Sequence, residues 1–185
     1  MLKVSAITPA VVLGITLLLG QSLSAKQTTP TPGQPSLTEQ VRLELVLLPF
    51  NTVFDNVGYK VDGGVVTLTG QVARPILKSA AEKAVQRITG VSQVINNIEV
   101  LPLSPMDDRI RWAVYHTLYS EHNPLSGYVW GPIPAIHIIV KNGHVTLTGV
   151  VNNDTDKNVA TLIVKTVPGV FSVTNHLTGK HVKQG

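Results

Sequence analysis

The amino-acid sequence predicts an α+β fold made twice: two tandem α-β-β-α-β units, each a small three-stranded mixed sheet with both helices on one face. Three observations carry that prediction. The stretch VVTLTGQV at 65–72 returns almost unchanged as HVTLTGVV at 144–151. Gly70 then pairs with Gly149, an offset of 79 residues that holds without a gap from Val61 to Val100. The same offset pairs Gly64 with Gly143, Gly90 with Gly169 and Asn96 with Asn175. Each copy also sets a two-residue turn between alternating apolar and polar residues: Gly63 and Gly64 in the first, Asn142 and Gly143 in the second, both strong hairpin signals. After each hairpin the apolar period lengthens from two to about 3.6, as at Leu77, Ala81, Ala84, Val85 and Ile88.

Taken in order, the chain opens with a basic start at Lys3, an apolar run over 11–19, and small residues at Ser22, Ser24 and Ala25. This reads as a secretory signal peptide over 1–25, too short in its apolar run to span a bilayer. A Pro/Thr-rich linker over 26–36 follows, with no means of building a core. The first unit occupies 37–103. Ser36 and Glu39 form a capping box that opens a helix running to about Leu48, where Pro49 stops it. In the hairpin, Tyr59, Val61, Val66 and Leu68 face inward while Lys60, Asp62, Thr67 and Thr69 face outward. A helix over 75–88 and a strand over 94–101 complete the unit, and the right-handed crossover makes that last strand parallel to its neighbour.

The second unit occupies 104–180. Ser104 caps a helix with Pro105 at its first position and Asp107 and Asp108 in its first turn, reaching roughly Glu121. A loop over 122–135 is about ten residues longer than its counterpart. The hairpin strands cover 136–141 and 144–149, pairing Val140 with Val145 and Ile138 with Leu147 inward. His137, Ile139, Lys141, His144, Thr146 and Thr148 take the other face. A helix over 155–167, a glycine cap at Gly169 and a strand over 170–178 follow, then a tail over 181–185.

Composition narrows the function classes. Charged residues are 14% and hydrophobic ones 43% of 185, which is globular rather than disordered. With no cysteine, disulfides, thiolate catalysis, cysteine-ligated metals and a lipid-carrying cysteine anchor are all excluded. The net charge of +4 is small for a nucleic-acid binder, and outside the cytoplasm anionic lipid is the more natural polyanion. The expected location is the periplasm.

The run GxVTLTGxV in each hairpin, followed by GVxxVxN before each last strand, resembles the BON domain. The residues are Gly64, Val66, Thr67, Leu68, Thr69, Gly70 and Val72, then Gly90, Val91, Val94 and Asn96, with Gly143, Val145, Thr146, Leu147, Thr148, Gly149, Val151, Gly169, Val170, Val173 and Asn175 in the second copy. That resemblance, to a family typified by an osmotically inducible periplasmic protein, covers nearly all of the chain after the signal. It implies a non-enzymatic protein that associates with anionic phospholipid membranes and supports envelope integrity or osmotic-stress resistance. It supplies no catalytic residues and no cofactor.

Candidate contact residues lie where the second copy departs from the first. On the helix after Ser104, Ile110, Ala113, Val114, Thr117 and Leu118 form the core side. Trp112, Tyr115 and Tyr119 fall together on the opposite side, with Arg111 at one edge and His116 at the other. Tyr128 and Trp130 sit among prolines and glycines in the long loop. The reading is contact with an anionic membrane surface, chiefly through the second unit. The alternatives are packing of this stripe on the first unit, or a protein-protein adaptor in the periplasm. His137, His144 and His176 lack metal-ligand spacing, so no metal is assigned. Asn96 and Asn175, in otherwise apolar strands, are read as making hydrogen bonds that fix a bulge or strand end.

Overall fold

The computed structural model describes residues 35–131 and 134–180, all within one compact unit, Gly33–Gly185. The expected signal peptide, nearly all of the expected linker and the tail over 181–185 lie outside the described residues.

The first repeat runs α1 Leu37–Val46, β1 Asn56–Asp62, β2 Val65–Val72, α2 Pro75–Gln86, β3 Gln93–Asn96 and β4 Glu99–Val100. The second runs α3 Pro105–Leu118, a single 3₁₀ turn Ser126–Val129, β5 Ile136–Lys141, β6 His144–Val151, α4 Asp154–Lys165 and β7 Ser172–Gly179. Each sheet is mixed, as predicted: β1 is antiparallel to β2 and β5 to β6, while β3 and β4 run parallel to β2, and β7 to β6. The hairpin registers are those the turns dictate, with Tyr59 opposite Leu68, Val61 opposite Val66, Ile138 opposite Leu147 and Val140 opposite Val145. Asn142 adopts φ 54° and Gly143 φ 77°, the left-handed pair that a tight hairpin turn needs.

Two helices cover one face of each sheet. Val41 and Leu45 of α1 and Leu77, Ala81 and Val85 of α2 bury against Val66, Leu68 and Val72. In the second repeat Ile110, Val114 and Leu118 of α3 and Ala160 and Val164 of α4 bury against Ile138, Val140, Val145 and Leu147. Burying each such side chain stabilises the fold by about 1.5–3 kcal/mol.

The structure departs from the sequence reading in five places. Each helix ends earlier than the periodicity suggests, because its last turn tightens into short-range bonds such as Ile88 N to Val85 O and Val167 N to Val164 O. The capping box is half made. Ser36 Oγ accepts from Glu39 N at 3.2 Å, but the Glu39 carboxylate turns to Arg42 at 2.6 Å instead of reaching back. The last strand of the first repeat is broken into β3 and β4 around Asn97 and Ile98. Ile139, expected on the outward face, is only 2% exposed. Finally, Asp107 does more than begin a helix. It is buried, and its two carboxylate oxygens accept from Asn142 N and Gly143 N, both at 2.8 Å, tying the first turn of α3 to the hairpin turn.

The reason Ile139 is covered is that the repeats pack on each other. Val53 O accepts from Ile138 N at 2.8 Å, and Lys141 Nζ reaches Glu99 Oε1 at 2.5 Å. His137 Nδ1 lies 2.5 Å from Asp55 O; a carbonyl only accepts, so Nδ1 carries the proton. Val53 and Phe54, from the loop after α1, belong to the hydrophobic core of the second repeat. That loop is held by the buried Asp55, whose carboxylate accepts from Thr52 N, Thr52 Oγ1 and Ala73 N at 2.9, 2.6 and 2.8 Å.

Candidate functional site

The face of interest is built on α3. Ser104 Oγ accepts from Asp107 N at 3.1 Å and Pro105 holds the first position, so the helix starts where the sequence says it should. Its buried side is Asp107, Ile110, Arg111, Val114 and Leu118. At about 100° per residue, the centre of that side lies only about 45° from Arg111. Arg111 is therefore not at the edge of an outward stripe. It is 4% exposed, donates from Nη2 to Val140 O at 2.8 Å, and pairs through Nη1 with Asp108. This overturns its assignment as a surface contact.

The three aromatics differ in what they meet. Tyr119, at the helix end, is partly buried and its hydroxyl donates to Ile136 O at 2.8 Å. Burial holds that phenol protonated well above its ordinary range. Tyr115 is half-buried and packs edge-on between Tyr119 at 5.1 Å and Phe54 at 6.2 Å. Trp112 meets Phe54 edge-on at 5.1 Å and stacks with His116 at 5.9 Å, yet 54% of it stays exposed. The stripe thus packs on the first repeat through Phe54 and still leaves an indole in solvent. The exposed line of α3 is Met106, Arg109, Trp112 and His116, with Arg109 Nη2 3.7 Å from Met106 Sδ.

The long loop splits in the same way. Tyr128 does not point outward: its hydroxyl donates to Asp156 Oδ2 at 2.5 Å and accepts from Asn152 N at 2.7 Å. Burial first, and then the Asp156 carboxylate, raise its pKa. Trp130, two residues on, is 83% exposed.

Three contributors are not among the contact residues read from the sequence. Leu103, in the connection between repeats, is 93% exposed. Arg74 donates to Phe50 O at 2.7 Å and lies over the Phe50 ring at 5.7 Å. Phe54, from the loop after α1, packs into the core of the second repeat. Leu103, Arg74, Phe54, Trp112, Tyr115 and Arg111 all line one cleft of about 620 Å³. The only available signal was that Leu103 follows the last apolar strand position and precedes a cap.

The polar and glycine positions that recur in the two copies are structural. Asn96 Nδ2 donates to Lys78 O at 2.9 Å and Glu82 Oε2 at 3.0 Å, while its Oδ1 accepts from Ile98 N at 3.2 Å. Asn175, 79 residues on, repeats the pattern with Lys157 O at 2.8 Å, Thr161 Oγ1 at 2.6 Å and Leu177 N at 2.9 Å. Gly70 and Gly149 have φ of 107° and 130°, and an added Cβ would stand 2.0 Å from the carbonyl oxygens of Asn56 and Ala135. Gly64, Gly143, Gly90 and Gly169 occupy turns and helix ends.

His137 and His176 flank Thr148 in the strand register, whereas His144 sits at the hairpin end beside Ser172. Among the described residues no three His, Asp, Glu or Cys side chains converge as a metal set. Nor is any helix there long and apolar enough to cross a membrane.

No curated protein matches the chain in sequence. Two solved structures of CdsD, a structural protein of the type III secretion system of Chlamydia trachomatis, are similar in part. One, its C-terminal domain, shares 16% identity over 79% of this chain and 98% of that one, with a TM-score of 0.31. The other shares 15% over 80% and 94%, with a TM-score of 0.30. Overlaps that low bear on nothing beyond themselves. The family model of the BON domain matches twice, over 37–102 and 125–180, and leaves α3 in the gap between its matches. Those two stretches are the two mixed sheets with the asparagine and glycine positions that recur at one fixed offset, so the chain belongs to the BON domain family, in tandem form.

Proposed function

We propose that this is a non-enzymatic exported envelope protein that binds anionic phospholipid membranes through its second repeat, supporting envelope integrity under osmotic stress from the periplasm. The observation that carries the reading is the solvent-facing indole of Trp112, 54% exposed beside Leu103 at 93% and Met106 at 54%. Exposed apolar side chains flanked by Arg109 and Arg74 suit the headgroup zone, where the apolar part leaves water and the cations stay near phosphate. The recurrent residues of the two sheets are occupied in turns and strand ends. Family membership supports a role without catalysis.

Co-sedimentation with vesicles of phosphatidylglycerol and phosphatidylcholine at low salt tests the proposal. Binding to the anionic vesicles is expected, with Trp112→Ala weakening it tenfold or more. Half-exposed indole area of about 100 Å² at about 25 cal/mol per Å² is worth roughly 2 kcal/mol. Trp130→Ala is expected to weaken binding less, because the loop presents one isolated ring. No binding to anionic vesicles by the wild type sinks the membrane reading and favours the protein-protein adaptor.

A further inference from the structure

The first strand of each copy, β1 and β5, is an outer edge of its sheet, and the two copies treat that edge differently. A two-residue hairpin turn closes on a hydrogen-bonded pair, here Asp62 with Val65 and Lys141 with His144, and such pairs recur at every second residue. The residues between them turn their N–H and C=O away from the hairpin partner. They are Val57, Tyr59 and Val61 on β1 and, at the fixed offset of 79, Ile136, Ile138 and Val140 on β5.

On β5 each of the three positions has an outward group engaged. Tyr119 donates to Ile136 O, Ile138 N donates to Val53 O and Arg111 donates to Val140 O, all at 2.8 Å. On β1 none of the three outward N–H and three outward C=O groups has a partner among the described residues, where β2 is the one strand beside it. A bare row of this kind is a template for another strand. A cleft of about 400 Å³ runs beside Val57 and Tyr59, lined also by Leu45 and Val46 of α1 and by Ala135 and His137 of the second repeat. A space of that size between the repeats takes one extended chain more readily than a second sheet with its helices. On the other face of β1, Lys60 is exposed.

We propose that β1 is a docking edge for an extended segment of a partner protein, which joins the first sheet as an antiparallel strand. The backbone of that segment exchanges hydrogen bonds with Val57, Tyr59 and Val61. Its side chains on the helix side are apolar and meet Leu45 and Val46, and an acidic side chain stands opposite Lys60. The edge shares no residue with the α3 face and does not rest on the membrane reading.

The experiment follows backbone amides of the whole protein by NMR. In the free protein the amides of Tyr59 and Val61 are expected to exchange with solvent faster than those of Gly58 and Lys60. The probe is a blocked peptide as long as β1, alternating valine with threonine and carrying glutamate at the position opposite Lys60. Saturable protection of the Val57, Tyr59 and Val61 amides is expected. N-methylation of the probe's valines, whose N–H groups face β1, should weaken binding about tenfold or more, and N-methylation of its threonines less than about twofold. Lys60→Glu, on an exposed side chain, should weaken the glutamate probe about threefold and favour a lysine probe instead. Slow exchange at the free edge, no saturable protection, or equal loss from both sets of N-methyl groups overturns the proposal. So does a concentration-dependent dimer that protects the same amides, which assigns the edge to a second copy. Protection by phosphatidylglycerol vesicles without peptide binding overturns it too, and leaves the membrane reading standing.

Discussion

Replacing Asn175 with alanine should unseat the last strand of the second repeat from α4. The side chain makes three bonds at once, donating to Lys157 O and Thr161 Oγ1 and accepting from Leu177 N. Alanine leaves the N–H of Leu177, a residue 1% exposed, with no local acceptor. An unsatisfied buried donor costs about 1–3 kcal/mol. The two lost donor contacts matter less, about 1 kcal/mol together, because Thr161 Oγ1 still donates to Lys157 O at 3.3 Å. The sum is about 2–4 kcal/mol, a large part of the stability of a small domain. For a cooperative unit of about 150 residues it corresponds to a fall of about 4–16 °C in melting temperature. Urea unfolding followed by far-ultraviolet circular dichroism measures it as a shift in midpoint at unchanged slope. Asn175→Asp should be no better, since it keeps the acceptor but turns a carboxylate on the Lys157 carbonyl. Asn96→Ala should cost a similar amount in the first repeat, because the bonds to Lys78 O and Ile98 N are the same in kind. A loss below about 0.5 kcal/mol at Asn175 would refute the reasoning, for it would show that water or a local shift satisfies Leu177 N.

Gly149→Ala and Gly70→Ala should each destabilise by more than about 3 kcal/mol, since the new methyl meets a backbone carbonyl at 2.0 Å. Gly63→Ala is the control: its φ is 57° but nothing lies within 4 Å, so about 1 kcal/mol is expected in the same urea assay. Phe54→Ala should cost about 3–4 kcal/mol and red-shift the emission of Trp112, whose ring lies 5.1 Å away. Burial lowers the pKa of His137 below its usual 6.5. The unfolded chain then binds the extra proton first, so stability is full above that value and falls as pH drops from 6.5 toward the folded pKa. The expected result is a lower melting temperature at pH 5 than at pH 7.5, much reduced in His137→Gln. A pH response unaltered by that substitution would assign the effect to other groups.

The duplicated hairpin, the helical periods and the caps were legible in the sequence because each is a local rule. A two-residue turn fixes register, alternation fixes which face is inward, and a serine before a proline fixes where α3 begins. The sidedness of Arg111 was legible too: its place among Ile110, Val114 and Leu118 on the wheel puts it with the core. The sequence reading set it instead at the edge of the aromatic side, and packing drew it inward because Val140 O and Asp108 were there to receive it. What no local rule reaches is contact between the repeats. That Phe54 belongs to the second core, and that Tyr115 is half-buried while Trp112 is not, follow from how the loop held by Asp55 meets α3; that Ile139 is covered belongs with the contacts β5 makes to the first repeat. Sequence determined two copies of one sheet and the residues by which they differ. Only the tertiary structure decided which of those differences face water, because exposure depends on a neighbouring surface brought in from more than fifty residues away along the chain.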